Sequence, residues 1–421
     1  MDAVEQDAGP VERVAALDLG KASLVACVRV PDSDKPGGRC QEIRSYPTVT
    51  RSLLELADWL RCEQAELVVM EATSDYWKPV FYLLEAEGFT CWLLNPRHVK
   101  NVPGRPKTDK LDAVWLAKVA ERGMCSPSLV HPQPIRELRD LTRYRRTLVR
   151  EQGREKQRLE KLLEDAQIKL TSVISDLFGV SGRAMLAAMI AGERSPKVLA
   201  QLARTRMRTK IAVLEEALTG HFRDHHAFLA RTMLDRVDTL AATIDQVTRA
   251  IETAIAPFRA AAERLDEITG IGPVAAQVLI AEIGVDMTRF PTDRHLAAWA
   301  RFGPIERSSA GIRKKSPTGR GNPWPAGTLG EIVLSLSRTD TFLGHRYRRL
   351  ARRIGARRAI VAVGNSVLRI IWHLLADPDA RYTDLGPDYH DSRRNTQRQT
   401  SHLIRQLQQL TGQIVVLQPA G

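Results

Sequence analysis

Cysteine is scarce and poorly placed for cross-linking. The five residues Cys27, Cys40, Cys62, Cys91 and Cys125 are odd in number, and no two lie within ten positions of each other. That pattern offers neither a disulfide framework nor a zinc knuckle, and it predicts reduced thiols in the cytosol. Long apolar runs are lacking too. Stretches such as Ala359–Val363 fall far short of the ~20 residues that span a bilayer. The N-terminus has no basic stretch before an apolar core; it carries Asp2, Glu5 and Asp7 instead, so no signal peptide is expected. These absences predict a cytoplasmic chain without a membrane partner.

What the sequence has in surplus is positive charge. Lys and Arg number 62 against 49 Asp and Glu, a net +13 with a pI near 9.7. Hydrophobic residues make up 43% of 421 residues, enough for real cores. At roughly 150 residues per domain the length suits about three domains. The charge surplus points to a polyanion, nucleic acid before an anionic membrane.

The first ~130 residues alternate strand and helix signals. Val14–Leu19, Leu24–Val30 and Glu42–Tyr46 read as strands, Ser52–Leu60 as a helix and Leu67–Met70 as a strand ending at Glu71. A helix at Tyr76–Glu87, a strand at Phe89–Leu94 and a helix at Asp109–Glu121 follow, the last with Thr108 as N-cap. The order β-β-β-α-β-α-β-α predicts a hairpin-led mixed sheet with helices. From Ile135 to about Ala166 strand signals vanish. Arg136–Lys161 holds ten basic residues against five acidic ones and suits one long helix. A second runs over Leu234–Ile255, where Leu234, Val237, Ile244, Val247, Ile251 and Ile255 step by threes and fours. An intrachain helical hairpin and a dimer seam explain that stripe equally well.

Four acids stand where a metal site needs them. Asp18 ends the first strand and Glu71 a later one, while Asp109 and Asp112 share one face of a helix. Carboxylates converging at strand ends suit two Mg²⁺ ions roughly 3.5–4 Å apart, which stabilise both the attacking and the leaving oxygen of a phosphoryl transfer. Each acid taken alone is equally well a turn or capping residue. Beside the pair lie Arg97, Lys100, Arg105, Lys107 and Lys110, either a solvated loop or a phosphate-contacting one.

Further along, Gly270-Ile-Gly272-Pro273 between two apolar helices suits a helix-hairpin-helix that offers free backbone N–H groups to a phosphate. A purely structural junction fits the same residues. Ser308-Ser309-Ala310-Gly311 sits among Arg301, Arg307, Arg313, Lys314, Lys315 and Arg320. On composition alone this is a flexible basic loop, since a serine is a poor nucleophile unless activated. Seven arginines from Arg346 to Arg358, Arg349 and Arg353 among them, have no acid between them, so a phosphate backbone suits them better than a bare solvated face.

Two blocks of residues carry a family resemblance. The first comprises Ala15–Ala22, Val69–Tyr76 and the stretch through Lys107-Thr-Asp-Lys-Leu-Asp-Ala113. The second comprises Ile268–Gly284, Ser309-Ala-Gly311, Gly319-Arg-Gly-Asn-Pro-Trp324, Asp340–Ala351, Arg358–Val363 and Tyr382–Tyr389. In this the chain resembles the DEDD transposases of the IS110 family of bacterial insertion sequences. The resemblance implies an RNase H-like domain of the RuvC type over residues 1–130, with Asp18, Glu71, Asp109 and Asp112 as Mg²⁺ ligands. It implies a helical coiled-coil region over 131–258 that joins subunits into a dimer or tetramer, and a mostly α-helical C-terminal domain over 259–390. The last would supply a catalytic serine, mapped to Ser309, with Ser308 competing for the role. Residues 391–421 would be a polar tail. The implied partners are donor and target double-stranded DNA and a structured bridge RNA, in the bacterial nucleoid. After Trp324 the family continues with a Leu-Arg pair into a helix. Here Pro325 and Gly327 intervene and are expected to delay or kink that helix.

Three other functions compete. A resolvase-like nuclease needs only the four acids. A non-catalytic RNA- or DNA-binding protein needs only the charge. An actin-like ATPase suits Asp18-Leu-Gly20, but the sequence offers no second phosphate motif.

Overall fold

The computed structural model describes residues 11–35, 37–96, 109–303, 308–309, 312–313, 321–389 and 396–414; for residues 109–110, 308–309, 312–313 and 396–399 it describes the backbone alone. The chain forms two compact units. The first comprises Met1–Pro132, Phe290–Trp299 and Ile305–Lys314; the second holds the remainder, from Gln133 onward.

The first unit is built on a five-stranded sheet in the order β3-β2-β1-β4-β5. Strands β1 (Val14–Leu19), β2 (Ser23–Pro31) and β3 (Arg39–Pro47) form an antiparallel meander. Helix α1 (Thr50–Cys62) then crosses to β4 (Leu67–Glu71), which pairs parallel to β1. Helix α2 (Trp77–Ala86) leads to β5 (Cys91–Leu94), parallel to β4. This matches the hairpin-led mixed sheet expected from the sequence. Central strands buried on both faces read as unbroken apolar runs, as VAAL and LVVM do.

Alternation along β1 and β4 divides the core in two. Ala15, Leu17, Val68 and Met70 join Leu53, Leu56, Leu60, Val80 and Leu84 on the face covered by α1 and α2. Val14, Ala16, Leu67 and Val69 join Ala113, Leu116, Ala117 and Ala120 of α3 (Asp109–Glu121) on the other. Gly20 makes the β1–β2 turn: its N–H donates to the Ser23 carbonyl at 2.9 Å, and a Cβ there would sit 2.7 Å from that oxygen.

The second unit is helical. Helix α4 (Gln133–Asp165) runs 33 residues. Between its end and Phe222 lie short helices, including α5 (Val180–Ile190), around a core of Leu159, Leu163, Ile168, Met185, Leu186, Leu199 and Leu214. Helix α6 (Asp224–Ala254) begins ten residues before the expected start and packs along α4 within the chain. Arg183 of α5 braces it through a bidentate ion pair with Asp238, at 2.9 and 2.6 Å.

Helices α7 (Arg259–Asp266) and α8 (Pro273–Ile283) flank the glycine turn. Helix α9 (Pro323–Leu336) corrects the expectation drawn from Pro325 and Gly327: it starts at Pro323 and runs unbroken. Pro325 falls in the first turn, where backbone N–H groups have no intrahelical acceptor to lose. Gly327 makes room for a neighbour, since a Cβ there would sit 2.8 Å from Arg146 Nη2.

Helices α10 (Phe342–Ile354) and α11 (Ala356–Ala376) divide at Gly355, whose φ of 86° breaks the helix. A further correction concerns α11. By length and composition it is long and apolar enough to cross a membrane, which the short apolar runs did not suggest. Its buried stripe of Ala359, Val363, Val367, Leu368, Ile371 and Leu374 packs against α7, α9 and α10, as a core helix does. In the expected polar tail, helix α12 (Thr396–Thr411) forms.

Candidate active site

The sheet register brings two of the four acids side by side in position. Leu17 pairs with Met70, one residue before Asp18 on β1 and Glu71 on β4. Both acids therefore fall on the Val14–Ala16 and Leu67–Val69 face, the face that α3 covers. Glu71 is buried and Asp18 half-buried. On α3, Asp112 lies one helical turn before the buried Leu116 and is itself half-buried. Asp109 opens the helix, three positions earlier. Asp18 and Glu71 thus lie at neighbouring strand ends on the sheet face that α3 covers, and Asp112 lies in the first turns of that helix.

The far end of α3 is held by a contact that the sequence reading missed. Glu121 receives Arg29 Nε of β2 at 2.8 Å and lies 3.2 Å from Arg39 Nε of β3. These half-buried pairs anchor the acid-bearing helix across the outer strands.

Donor chemistry at the site suits a hard divalent cation, because carboxylate oxygens are the ligands such ions prefer. Among the described residues no group of three His, Cys, Asp or Glu closes tightly enough to hold a metal ion. The Asp109 side chain, and Arg97, Lys100, Arg105 and Lys107, lie outside the described residues. Burial pushes the Cys27 and Cys125 thiols up to about 11 and the Cys91 thiol up to about 12.

Ser308–Ser309 and Ile312–Arg313 form a small antiparallel ribbon, with Ser309 paired to Ile312 and Ser308 to Arg313. Arg307, Lys314, Lys315 and Arg320 lie outside the described residues. At the glycine turn, Gly270 has a φ of 89° and packs against Leu336, while Gly272 is the extended N-cap residue of α8 with open space where a Cβ would stand.

The arginine series divides. Arg349, Arg352, Arg353, Arg357 and Arg358 are exposed. Arg348 turns inward and donates to the Ser337 and Thr339 carbonyls at 3.2 and 2.7 Å, at the end of α9. Arg346 is half-buried; burial, with Arg349 and Arg369 nearby, lowers its pKa. The expectation of seven phosphate-facing arginines is thereby corrected, because two of them serve the packing of α10.

Acids at neighbouring strand ends in a strongly basic chain suit an enzyme that acts on nucleic acid. Family models agree with that class: one for DEDD transposases of the IS110 type matches residues 15–168, and one described as "Transposase IS116/IS110/IS902 family" matches residues 262–348. The chain belongs to the IS110 family of transposases and is an enzyme that cuts and rejoins DNA. No individual curated protein matches it.

Proposed function

We propose that this transposase joins donor to target double-stranded DNA under the direction of a structured bridge RNA. Asp18, Glu71, Asp109 and Asp112 would hold Mg²⁺, in a RuvC-like domain over residues 1–130. Ser309 is the nucleophile. The observation that carries the reading is the placement of Asp18 and Glu71 on one sheet face beneath the helix that bears Asp109 and Asp112.

Bound there, Mg²⁺ supplies Lewis-acid stabilisation of charge on the phosphate oxygens. Asp18, Glu71, Asp109 and Asp112 would hold it, with the spacing of Asp18 and Glu71 set by the sheet. The Ser309 hydroxyl attacks a DNA phosphodiester: an Oγ–P bond forms, the P–O bond to one strand breaks, and the departing oxygen leaves as a DNA hydroxyl that takes up a proton. The phosphoserine ester keeps the bond energy for rejoining, so no external energy source is needed. Arg307, Arg313, Lys314, Lys315 and Arg320 offset charge on the phosphate under attack. Arg97, Lys100, Arg105 and Lys107, the amides at Gly270 and Gly272, and exposed Arg349 and Arg353 grip nucleic-acid backbone. Residues 131–258 join copies into a dimer or tetramer, residues 259–390 carry the serine, and the enzyme works on the nucleoid in the cytoplasm.

The test uses RNA transcribed from the DNA flanking the gene and a donor duplex, with products read on denaturing gels. Ser309→Ala is expected to abolish covalent protein–DNA adducts, and Asp18→Ala to abolish recombination with RNA binding kept. Adducts that persist in Ser309→Ala but vanish in Ser308→Ala would move the nucleophile by one residue. Strand cleavage without any adduct would favour a nuclease that uses the acids alone.

A further inference from the structure

Beside the glycine turn, the end of α6, helix α7 and the first turns of α8 enclose a cavity of about 380 Å³. That volume lies at the small end of ligand sites. One wall is apolar: Ile255 and Ala276 are buried there, and Ala262 is half-buried. Around it stand three exposed carboxylates, Glu252, Glu263 and Asp266, and two hydrogen-bond donors, Arg259 and Gln277.

The Gln277 amide is held from behind. Arg145 of α4 is only 6% exposed, and its Nη1 donates to Gln277 Oε1 at 2.9 Å. With Oε1 engaged, Nε2 is the end of the amide left to a ligand. Arg145 Nη2 is buried and has no hydrogen-bond partner among the described residues. Burial lowers the Arg145 pKa, and the nearby Glu252, also in the cavity wall, opposes that fall. A buried guanidinium with incomplete hydrogen bonds is costly, and packing alone does not call for one. What it secures is the orientation of one amide in the cavity wall.

We infer that this cavity seats an unpaired guanine of a nucleic-acid strand. Three carboxylates repel phosphate, so the backbone itself stays outside. A base in the cavity must present donors to the acids and acceptors to Arg259 and Gln277. Guanine does both: N1–H and the N2 amine donate, while O6 and N7 accept. The apolar wall covers its ring, and its pairing edge is engaged, so the base is one without a complement. A cationic side chain offers donors only, and it would leave Gln277 Nε2 unmet beside the like charge of Arg259. The strand's phosphate then falls to the neighbouring N-terminus of α8, where Gly272 leaves open space. For that contact alone the inference rests on the glycine turn meeting nucleic-acid backbone.

The test uses the full chain and fluorescence anisotropy of a labelled oligothymidine strand with or without one central guanosine. The guanosine is expected to tighten binding about tenfold, and inosine, which lacks the N2 amine, about threefold. Ala262→Trp fills the cavity. Gln277→Glu keeps a partner for Arg145 and turns the donor into an acceptor. Each should reduce the preference below about twofold, and the ratio of two strands cancels any change in overall charge. A wild-type preference below about twofold, or a tenfold preference that survives both variants, would overturn the seat. Nona-arginine that binds wild type more tightly than Ala262→Trp, with no preference for guanosine, would give the cavity to a cationic peptide instead. GMP that binds as tightly as the guanosine strand would overturn the strand in favour of a free nucleotide. If neither strand binds, the nucleic-acid reading of the turn fails, and GMP titrated by calorimetry into wild type and Ala262→Trp still judges the seat.

Discussion

Two stretches of this protein are rich in arginine and use it in opposite ways. On α4, Arg139, Arg143, Arg146 and Arg150 recur at helical spacing on one face. Arg139, Arg143 and Arg146 on that face turn inward, while Arg150 stays exposed. Arg139 and Arg143 hold Ala281 and Glu282, Arg146 reaches Thr328 and Glu331 at 2.7 and 2.6 Å, and Arg143 and Arg150 flank the Trp324 ring at 5.4 and 5.6 Å. On α10 and the start of α11, five of seven arginines face solvent. Net charge alone does not separate internal fasteners from arginines that stay in solvent. What separates them is whether acids and carbonyls distant in sequence fold back onto the helix.

The contrast breaks most visibly at Arg143. Arg143→Ala leaves the Glu282 carboxylate buried without its bidentate partner and is expected to cost about 3–5 kcal/mol, read by urea unfolding of the full chain. A loss under about 1 kcal/mol would mean that Glu282 finds water or another cation. The outward set should respond in the other currency. Arg349→Ala with Arg353→Ala is expected to leave stability within about 0.5 kcal/mol. The slope of log affinity for duplex DNA against log salt should shrink by about 0.9 per lost phosphate contact. An unchanged slope would remove α10 from the nucleic-acid surface. Arg346 sharpens the comparison with the smallest effect. Its Nε is buried without a hydrogen-bond partner and its pKa is lowered by burial first, so Arg346→Met should change stability by no more than about 1 kcal/mol, and not downward. Clear destabilisation would place it with the fasteners of α4.

The acid-bearing half was largely legible in the sequence. Strands β1 and β4 are apolar runs that end at or beside an acid, and the three-residue spacing of Asp109 and Asp112 survives any small error in helix boundaries. Glu121 was less legible, because its partners Arg29 and Arg39 lie on strands that only the fold brings over its helix. Glu282 left no trace in the local pattern: it sits in an apolar helix, 139 residues from Arg143. The core around Met185, Leu186 and Leu199 was also silent, because its helices are too short for the 3.6-residue period to rise above chance. Gly327 was legible only as a helix breaker, since its use depends on the side chain that occupies the space it leaves. Periodicity reports which face is covered, and it says nothing about what covers it.

The length of α4 has a mechanical consequence. Its 33 residues extend about 50 Å at 1.5 Å per residue. Arg139, Arg143 and Arg146 near one end grip α8 and α9, while Leu159 and Leu163 near the other are set into the distal helical core. A continuous helix of that length bends only gently. It therefore acts as a stiff spacer: the distance between the distal core and the α8–α9 end of this unit is set by one rod, not by the loops that join the helices around it.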